Sequence, residues 1–189
     1  MSAEFAVEQR PNRIMAINKV AVDTHILIWG VEGNASPGQE NKIQQAEALI
    51  DRIDEEDFGV YVPSLVAGEF LYGFDESDRP KARSILNTHF SVADYNSLSA
   101  ERAAEVFSEL QQDGTHDVLQ GKENVARQEL MTDYHIVGTL LSHDIDLLYC
   151  EDEPLTEVAN EYLEVREMPS FQRDLDFSEA AQQFSNPDS

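Results

Sequence analysis

Lysine is scarce in this chain, at only Lys19, Lys42, Lys81 and Lys122 of 189 residues. All bases together number 13 against 37 acids, so the formal net charge is −24 and the isoelectric point lies near 4.3. That shortage argues against a general nucleic-acid binder, because non-specific affinity comes mainly from Lys and Arg neutralising phosphates. It does not exclude RNA. A bound divalent cation inverts the local field at an acidic site, and molar salt screens the remaining repulsion within about 3 Å. An acid-rich, lysine-poor composition resembles that of proteins from salt-loving organisms, and a merely acidic cytoplasmic protein has the same composition. Cysteine is rarer still. Cys150 stands alone, which excludes an internal disulfide and fits a reducing compartment. No apolar run approaches the roughly 20 residues of a membrane span. The segment Met1–Asn18 carries acids, Arg10, Pro11 and Arg13 without an apolar centre, unlike a secretory signal. The expected location is the cytoplasm, and Met15 is a second candidate start because the patterned sequence begins at Lys19.

Hydrophobic residues make up 41% of the chain, which suits one domain with modest extensions. We expect an N-terminal extension over 1–18, one folded domain over 19–168 and an acidic tail over 169–189. Val20 to Trp29 is an apolar run read as a buried strand passing into a helix, and Gly30 to Gln39 as a surface loop. Ile43, Ala46, Ile50 and Ile53 recur at helical spacing. Val60-Tyr-Val62 is a short strand closed by Pro63, with Ser64 as N-cap of a helix that Gly73 stops. Asp78 and Pro80 open a further helix, Phe90 to Val92 reads as a strand, and Ser99 as the cap of the next helix. Asp113 to Glu123 reads as a long polar loop, and Thr132 as the cap of a helix bearing Ile136, Val137, Leu140 and Leu141. Leu147 to Cys150 is a strand, Pro154 starts a helix, and Leu163 to Val165 is a last edge strand. From Asp174 onward the chain is polar, a frayed helix or a disordered tail. Strands alternating with helices predict an α/β fold, three layers α/β/α around a mainly parallel sheet. In such sheets sites gather at the carboxyl ends of the strands.

Four acids interrupt apolar patterns. Asp23 ends the first strand, where it serves equally well as an N-cap. Glu69 shares a helical face with Val66, Phe70 and Gly73, although a Glu at the edge of that stripe reaches water at no cost. Asp133 heads an apolar helical face, where a first-turn acid is favoured by the helix dipole. Asp152 follows the Leu147–Cys150 strand, or is simply a turn residue beside Glu151 and Glu153. Taken singly each is weak. Jointly, two end parallel strands and two lie on flanking helices, places that converge on one sheet edge. Four convergent carboxylates raise each other's pKa unless a cation intervenes, and hard divalent ions with oxygen ligands resolve that conflict.

The segments Val20-Ala-Val-Asp-Thr-His-Ile-Leu-Ile-Trp29, Val62-Pro-Ser-Leu-Val-Ala-Gly-Glu-Phe-Leu-Tyr-Gly73, Asp133-Tyr-His-Ile-Val-Gly138 and Leu147-Leu-Tyr-Cys-Glu-Asp152 resemble the four acidic motifs of the PIN-domain family, in that family's order. The resemblance spans roughly Val20 to Val165. It implies a compact α/β/α ribonuclease of the VapC-like kind that cleaves RNA with Mg²⁺ or Mn²⁺ held by Asp23, Asp152, Glu69 and Asp133. It also implies a homodimer and an antitoxin protein as partner. Thr24 is a candidate contact to substrate or to a metal-bound water. The sequence departs from the pattern at His25, where Asn or Ser is common, at Cys150, where a small hydroxyl residue is usual, and at Pro154, where a further Asp often stands. These departures bear on metal number and on activity.

Rival readings fare less well. A haloacid-dehalogenase-type phosphatase needs a second Asp where His25 stands. A receiver domain needs an adjacent acid pair that is missing, and no GxxxxGK[ST] loop marks a P-loop NTPase. The stronger alternative is a catalytically inactive PIN-like module that binds a protein or RNA partner; the acidity favours it and the four acids oppose it. His116 and Lys122 are candidate RNA contacts in the long loop, against the simpler reading of solvated loop charges. His135 and His143 read as surface or core histidines, and Cys150 as a buried thiol.

Overall fold

A computed structural model describes residues 17–56, 58–121 and 127–169. Its centre is a sheet of five strands, all parallel, in the order β3-β2-β1-β4-β5: β1 Lys19–Val22, β2 Gly59–Pro63, β3 Ser91–Ala93, β4 Leu147–Tyr149 and β5 Glu164–Arg166. Val20, Ala21, Val22, Leu147, Leu148 and Tyr149 are all buried. Two-sided burial is why these strands read as continuous apolar runs rather than alternating ones.

Among the described residues eight helices connect the strands: α1 Thr24–Leu27, α2 Glu40–Glu55, α3 Ser64–Tyr72, α4 Arg79–His89, α5 Ser97–Gln112, α6 Thr115–Gln120, α7 Arg127–Ser142 and α8 Glu153–Ala159. They cover the sheet on both faces, giving the expected three-layer α/β/α architecture with a parallel sheet. A π-helical turn, Ile28–Glu32, follows α1 directly and ends at Gly33, whose φ of 68° is left-handed. The chain steps outward from β1 to β2 and β3, then crosses back to place β4 on the other side of β1. The reversal lies between β1 and β4, and in open parallel sheets the crevice at such a reversal is where ligands bind.

Helices α5 and α7 pack against each other more closely than an alanine would permit. A Cβ added at Gly138 would stand 2.6 Å from both the Ser99 carbonyl oxygen and the Ala103 amide nitrogen. The largest fully buried side chains include Tyr134, Phe70, Ile26, Leu49, Leu110 and Leu130, drawn from five different helices.

Several local expectations are corrected. Ser64 is the first residue of α3 rather than its cap; its Oγ accepts the Tyr95 N–H at 3.1 Å instead. Asn96, not Ser99, caps α5, and Ser99 closes the capping box as its N3 residue. The long polar loop contains α6, whose His116 and Leu119 are buried at i, i+3 spacing. Thr132 caps nothing: α7 is already helical at Arg127, and the Thr132 hydroxyl donates back to the Gln128 carbonyl. The glycine-containing segment after Trp29 stays helical to Glu32 before becoming a loop. The N-terminal extension up to residue 16, Lys122, Glu123 and the tail from residue 170 lie outside the described residues. Among the described residues no helix is long and apolar enough to cross a membrane.

Candidate functional site

Asp23 is the residue on which the strand reversal turns. It follows β1 in extended conformation and caps α1, its Oδ1 accepting the Ile26 N–H at 2.9 Å. Its Oδ2 accepts the Glu151 N–H at 2.7 Å, reaching across to the end of β4. Its own N–H donates to the Tyr149 carbonyl at 3.1 Å. The residue is 2% exposed. Capping and convergence with Asp152 therefore coexist: the same carboxylate starts a helix and ties together the ends of two adjacent parallel strands.

Asp152 lies on that opposite strand end. It caps α8, with Oδ1 accepting the Leu155 N–H at 2.9 Å, and is half-buried. The register that aligns Val22 with Tyr149 places Asp23 and Asp152 at one edge of the sheet. Glu69 reaches the same edge from α3. Thr24, buried at the start of α1, donates its hydroxyl to Glu69 Oε2 at 2.7 Å. Val66 and Phe70 are buried beside it as expected, while Glu69 itself is exposed, a carboxylate at the edge of the stripe that reaches water.

Asp133 is the acid most affected by its surroundings. It stands in the middle of α7, not in a first turn, so the helix dipole does not account for it. Its carboxyl is pushed up to about 7, first by burial and then by the negative charges of Asp152, Glu69 and Glu129. Glu129 lies one helical turn before it on the same face. That influence on Asp133 requires Asp152 and Glu69 to share its neighbourhood. Among the described residues, the one ion pair that reaches any of the four acids is His25 Nδ1, 3.6 Å from Asp23 Oδ2. His25 is raised above its ordinary value by that carboxylate, against the opposing effect of its own partial burial.

The four acids gather without closing on a common point. Among the described residues, no three His, Cys, Asp or Glu side chains are disposed to hold a metal ion. The donor set nonetheless fits a hard divalent cation in kind: only carboxylate oxygens, with Asp152 and Glu69 close enough to act on Asp133 and almost no positive side chain between them.

Glu151 and His25 were not among the expected site residues. Glu151 pairs through Oε2 with Lys42 at 2.5 Å and accepts the Met168 N–H on Oε1 at 2.8 Å. Its backbone supports Asp23, a contact that side-chain identity does not signal. His25 registers in sequence only as a departure from a pattern. Of the other residues weighed, His116 is buried with Nδ1 2.7 Å from the Tyr134 hydroxyl, so it is not an exposed RNA contact. His143 Nε2 meets the Asp94 carbonyl and His135 Nδ1 the Tyr95 hydroxyl. Cys150 is buried, and burial raises its thiol well above the ordinary range, consistent with an inert side chain.

Comparison with known proteins converges on one family. The family profile described as PIN domain matches residues 20–161. No curated protein matches the chain significantly. Among solved structures, VapBC2 from Rickettsia felis, bound to a DNA fragment from their promoter, superposes with a TM-score of 0.53 at 14% identity, covering 80% of this chain and 99% of that one. DNA-bound VapBC from Salmonella typhimurium superposes with a TM-score of 0.50 at 16% identity, covering 80% and 98% respectively. At these identities the likeness is one of fold.

Proposed function

Because the chain belongs to the PIN-domain family, a family of nucleases, we propose that it is a divalent-metal-dependent endoribonuclease that hydrolyses RNA phosphodiester bonds at the β1/β4 edge. The observation that carries this reading is Asp133, a carboxyl raised to about 7 first by burial and then by the nearby Asp152 and Glu69, with no ion pair of its own among the described residues. A buried carboxyl without a counter-ion, set beside other acids, costs stability, and that arrangement is characteristic of a site rather than of a scaffold.

Asp23 and Asp152 are the principal ligands in this proposal, with Glu69 and Asp133 completing the site for Mg²⁺ or Mn²⁺. When bound, such a cation would neutralise charge on the scissile phosphate and activate water for in-line attack. The chain's own groups prepare the ground. The Ile26 and Glu151 amides fix the Asp23 carboxylate, the Leu155 amide fixes Asp152, and the Thr24 hydroxyl orients Glu69. The role of Thr24 is thus to position a carboxylate, and contact with substrate is secondary to it.

An antitoxin protein as partner, homodimeric assembly and a cytoplasmic location belong to the same proposal. The two VapBC structures support the antitoxin, since they belong to toxin–antitoxin proteins. The domain limits 19–168 are likewise proposed. The sheet itself runs from Lys19 to Arg166.

The test is cleavage of single-stranded RNA with Mn²⁺, at low and at molar salt. Cleavage that stops in EDTA and returns with Mn²⁺ is the expected result. One observation favours a second reading, an inactive module that binds a protein or RNA: the carboxylates do not close into a three-ligand group. Absence of metal-dependent cleavage at both salt concentrations decides for it.

A further inference from the structure

Beside the carboxylates lies a cavity of about 540 Å³, within the usual size range for small-ligand sites. Its lining includes His25, Trp29, Asn34, Ser36, Gln39 and Lys42, with Glu151 at its border. It is continuous with the site, because His25 lies 3.6 Å from Asp23 and the Glu151 amide donates to that same carboxylate.

We infer that this cavity is a nucleotide-binding subsite, which holds one unpaired nucleoside of single-stranded RNA on the His25 ring with its phosphate toward Lys42. The assignment to RNA rests on the nuclease reading; the binding chemistry rests on the cavity.

Three observations carry it. First, His25 presents an aromatic face that is otherwise unused. Its side chain is 46% exposed, while Trp29 backs it at 5.4 Å between ring centroids with a tilt of 35°. Trp29 itself is buried. A base laid on the outer face of His25 adds to a ring contact already backed by Trp29, and stacking of this kind is tolerant of base identity. Second, Lys42 is the one lysine lining the cavity. Its ammonium sits 5.5 Å above the Trp29 ring and pairs with Glu151. Lys19, by contrast, opens β1 at the opposite edge of the sheet. On a chain with a net charge of −24, a phosphate finds few lysines elsewhere, and here the cation also neutralises the acid nearest to it. Third, Asn34, Ser36 and Gln39 bring amide and hydroxyl groups to the rim, the donors and acceptors that an unpaired base edge requires. The π-helical turn over Ile28–Glu32 produces this arrangement. It adds a residue to the turn that carries Trp29 and ends at Gly33, releasing the polar loop across the cavity mouth. Such turns recur at functional sites.

Trp29 is the only tryptophan of the chain, so its fluorescence reports on this cavity alone. The full chain is titrated in EDTA with AMP, GMP, CMP and UMP, with ribose 5-phosphate and with an arginine-rich peptide. The expected result is saturable quenching by at least one nucleotide and none by ribose 5-phosphate. His25→Ala should weaken nucleotide binding about fivefold or more, the loss of one stacking partner. Lys42→Met should weaken it about threefold and reduce its salt dependence. His25 is exposed, so its truncation leaves the core intact, and thermal melting of both variants controls for folding. The inference is overturned by lack of saturation with all four nucleotides, by equal quenching with ribose 5-phosphate, or by unchanged binding in both variants. Response to the peptide alone overturns it in favour of a protein partner. Nucleotide binding without RNA cleavage sinks the nuclease reading and leaves the subsite; cleavage without nucleotide binding does the reverse.

Discussion

The two edges of the sheet use the same residue type in opposite ways. At the amino edge, Asp146 accepts the N–H groups of Asn18 and Lys19, each at 3.0 Å, and the Lys19 ammonium donates to the His143 carbonyl at 2.8 Å. Here acid and base stitch the start of β1 to the turn that follows α7, and their charges are answered. At the carboxyl edge, Asp133, Asp152 and Glu69 crowd one another, and Asp133 is left near 7. Natural chains resolve local conflicts where only stability is at stake, and tolerate them where something else must bind. The contrast separates scaffold acids from site acids more sharply than any single residue does.

The largest expected effect breaks the functional half of the comparison. Asp23→Asn should lower metal-dependent RNA cleavage by at least about a hundredfold, measured at saturating Mn²⁺, while a melting curve shows the chain still folded. Asparagine retains an oxygen for one of the two amides that Asp23 now accepts.

Next comes the pH dependence of stability without metal. The carboxyl of Asp133 sits higher in the folded chain, at about 7 against a reference of 3.8, so between those values the folded state binds more protons than the unfolded state. Stability therefore falls as pH rises from about 4 to about 7, with an expected contribution on the order of 4 kcal/mol. Asp133→Asn should flatten that slope in EDTA, and a slope unchanged by the substitution would refute the account. Adding Mn²⁺ to the wild type should raise the melting temperature at pH 8 more than at pH 5.

Gly138→Ala tests the helix that joins both edges. Overpacking against Ser99 and Ala103 should cost about 2 kcal/mol and lower Tm by several degrees. The smallest effect sharpens the amino edge: Asp146→Asn should cost about 1 kcal/mol and leave cleavage per folded molecule unchanged.

The sequence made the strands legible because burial on both faces turns them into unbroken apolar runs, as in Val20 to Val22 and Leu147 to Tyr149. Helix starts were less visible. Thr132 resembles a cap, yet α7 is helical from Arg127, since Arg, Gln, Glu and Leu are sound helix formers and the polar residues simply face solvent. The same misreading made Asp133 a first-turn acid and hid its burial. Gly114 and Gly121 suggested a loop, although they bracket α6, whose two buried residues are too few to show a period. Of the site, the acids at strand ends could be read from topology, but the amide of Glu151 and the ring stack on His25 could not. Both depend on how distant segments meet, which no local pattern encodes.

The margins of the sheet carry a consequence of their own. β3 and β5 are stubs of three residues each, and β5 carries Glu164 and Arg166, paired side by side. So short and charged a border gives an incoming strand little to zip onto. Self-association by a shared sheet across protomers, and the fibre growth that begins the same way, are thereby discouraged.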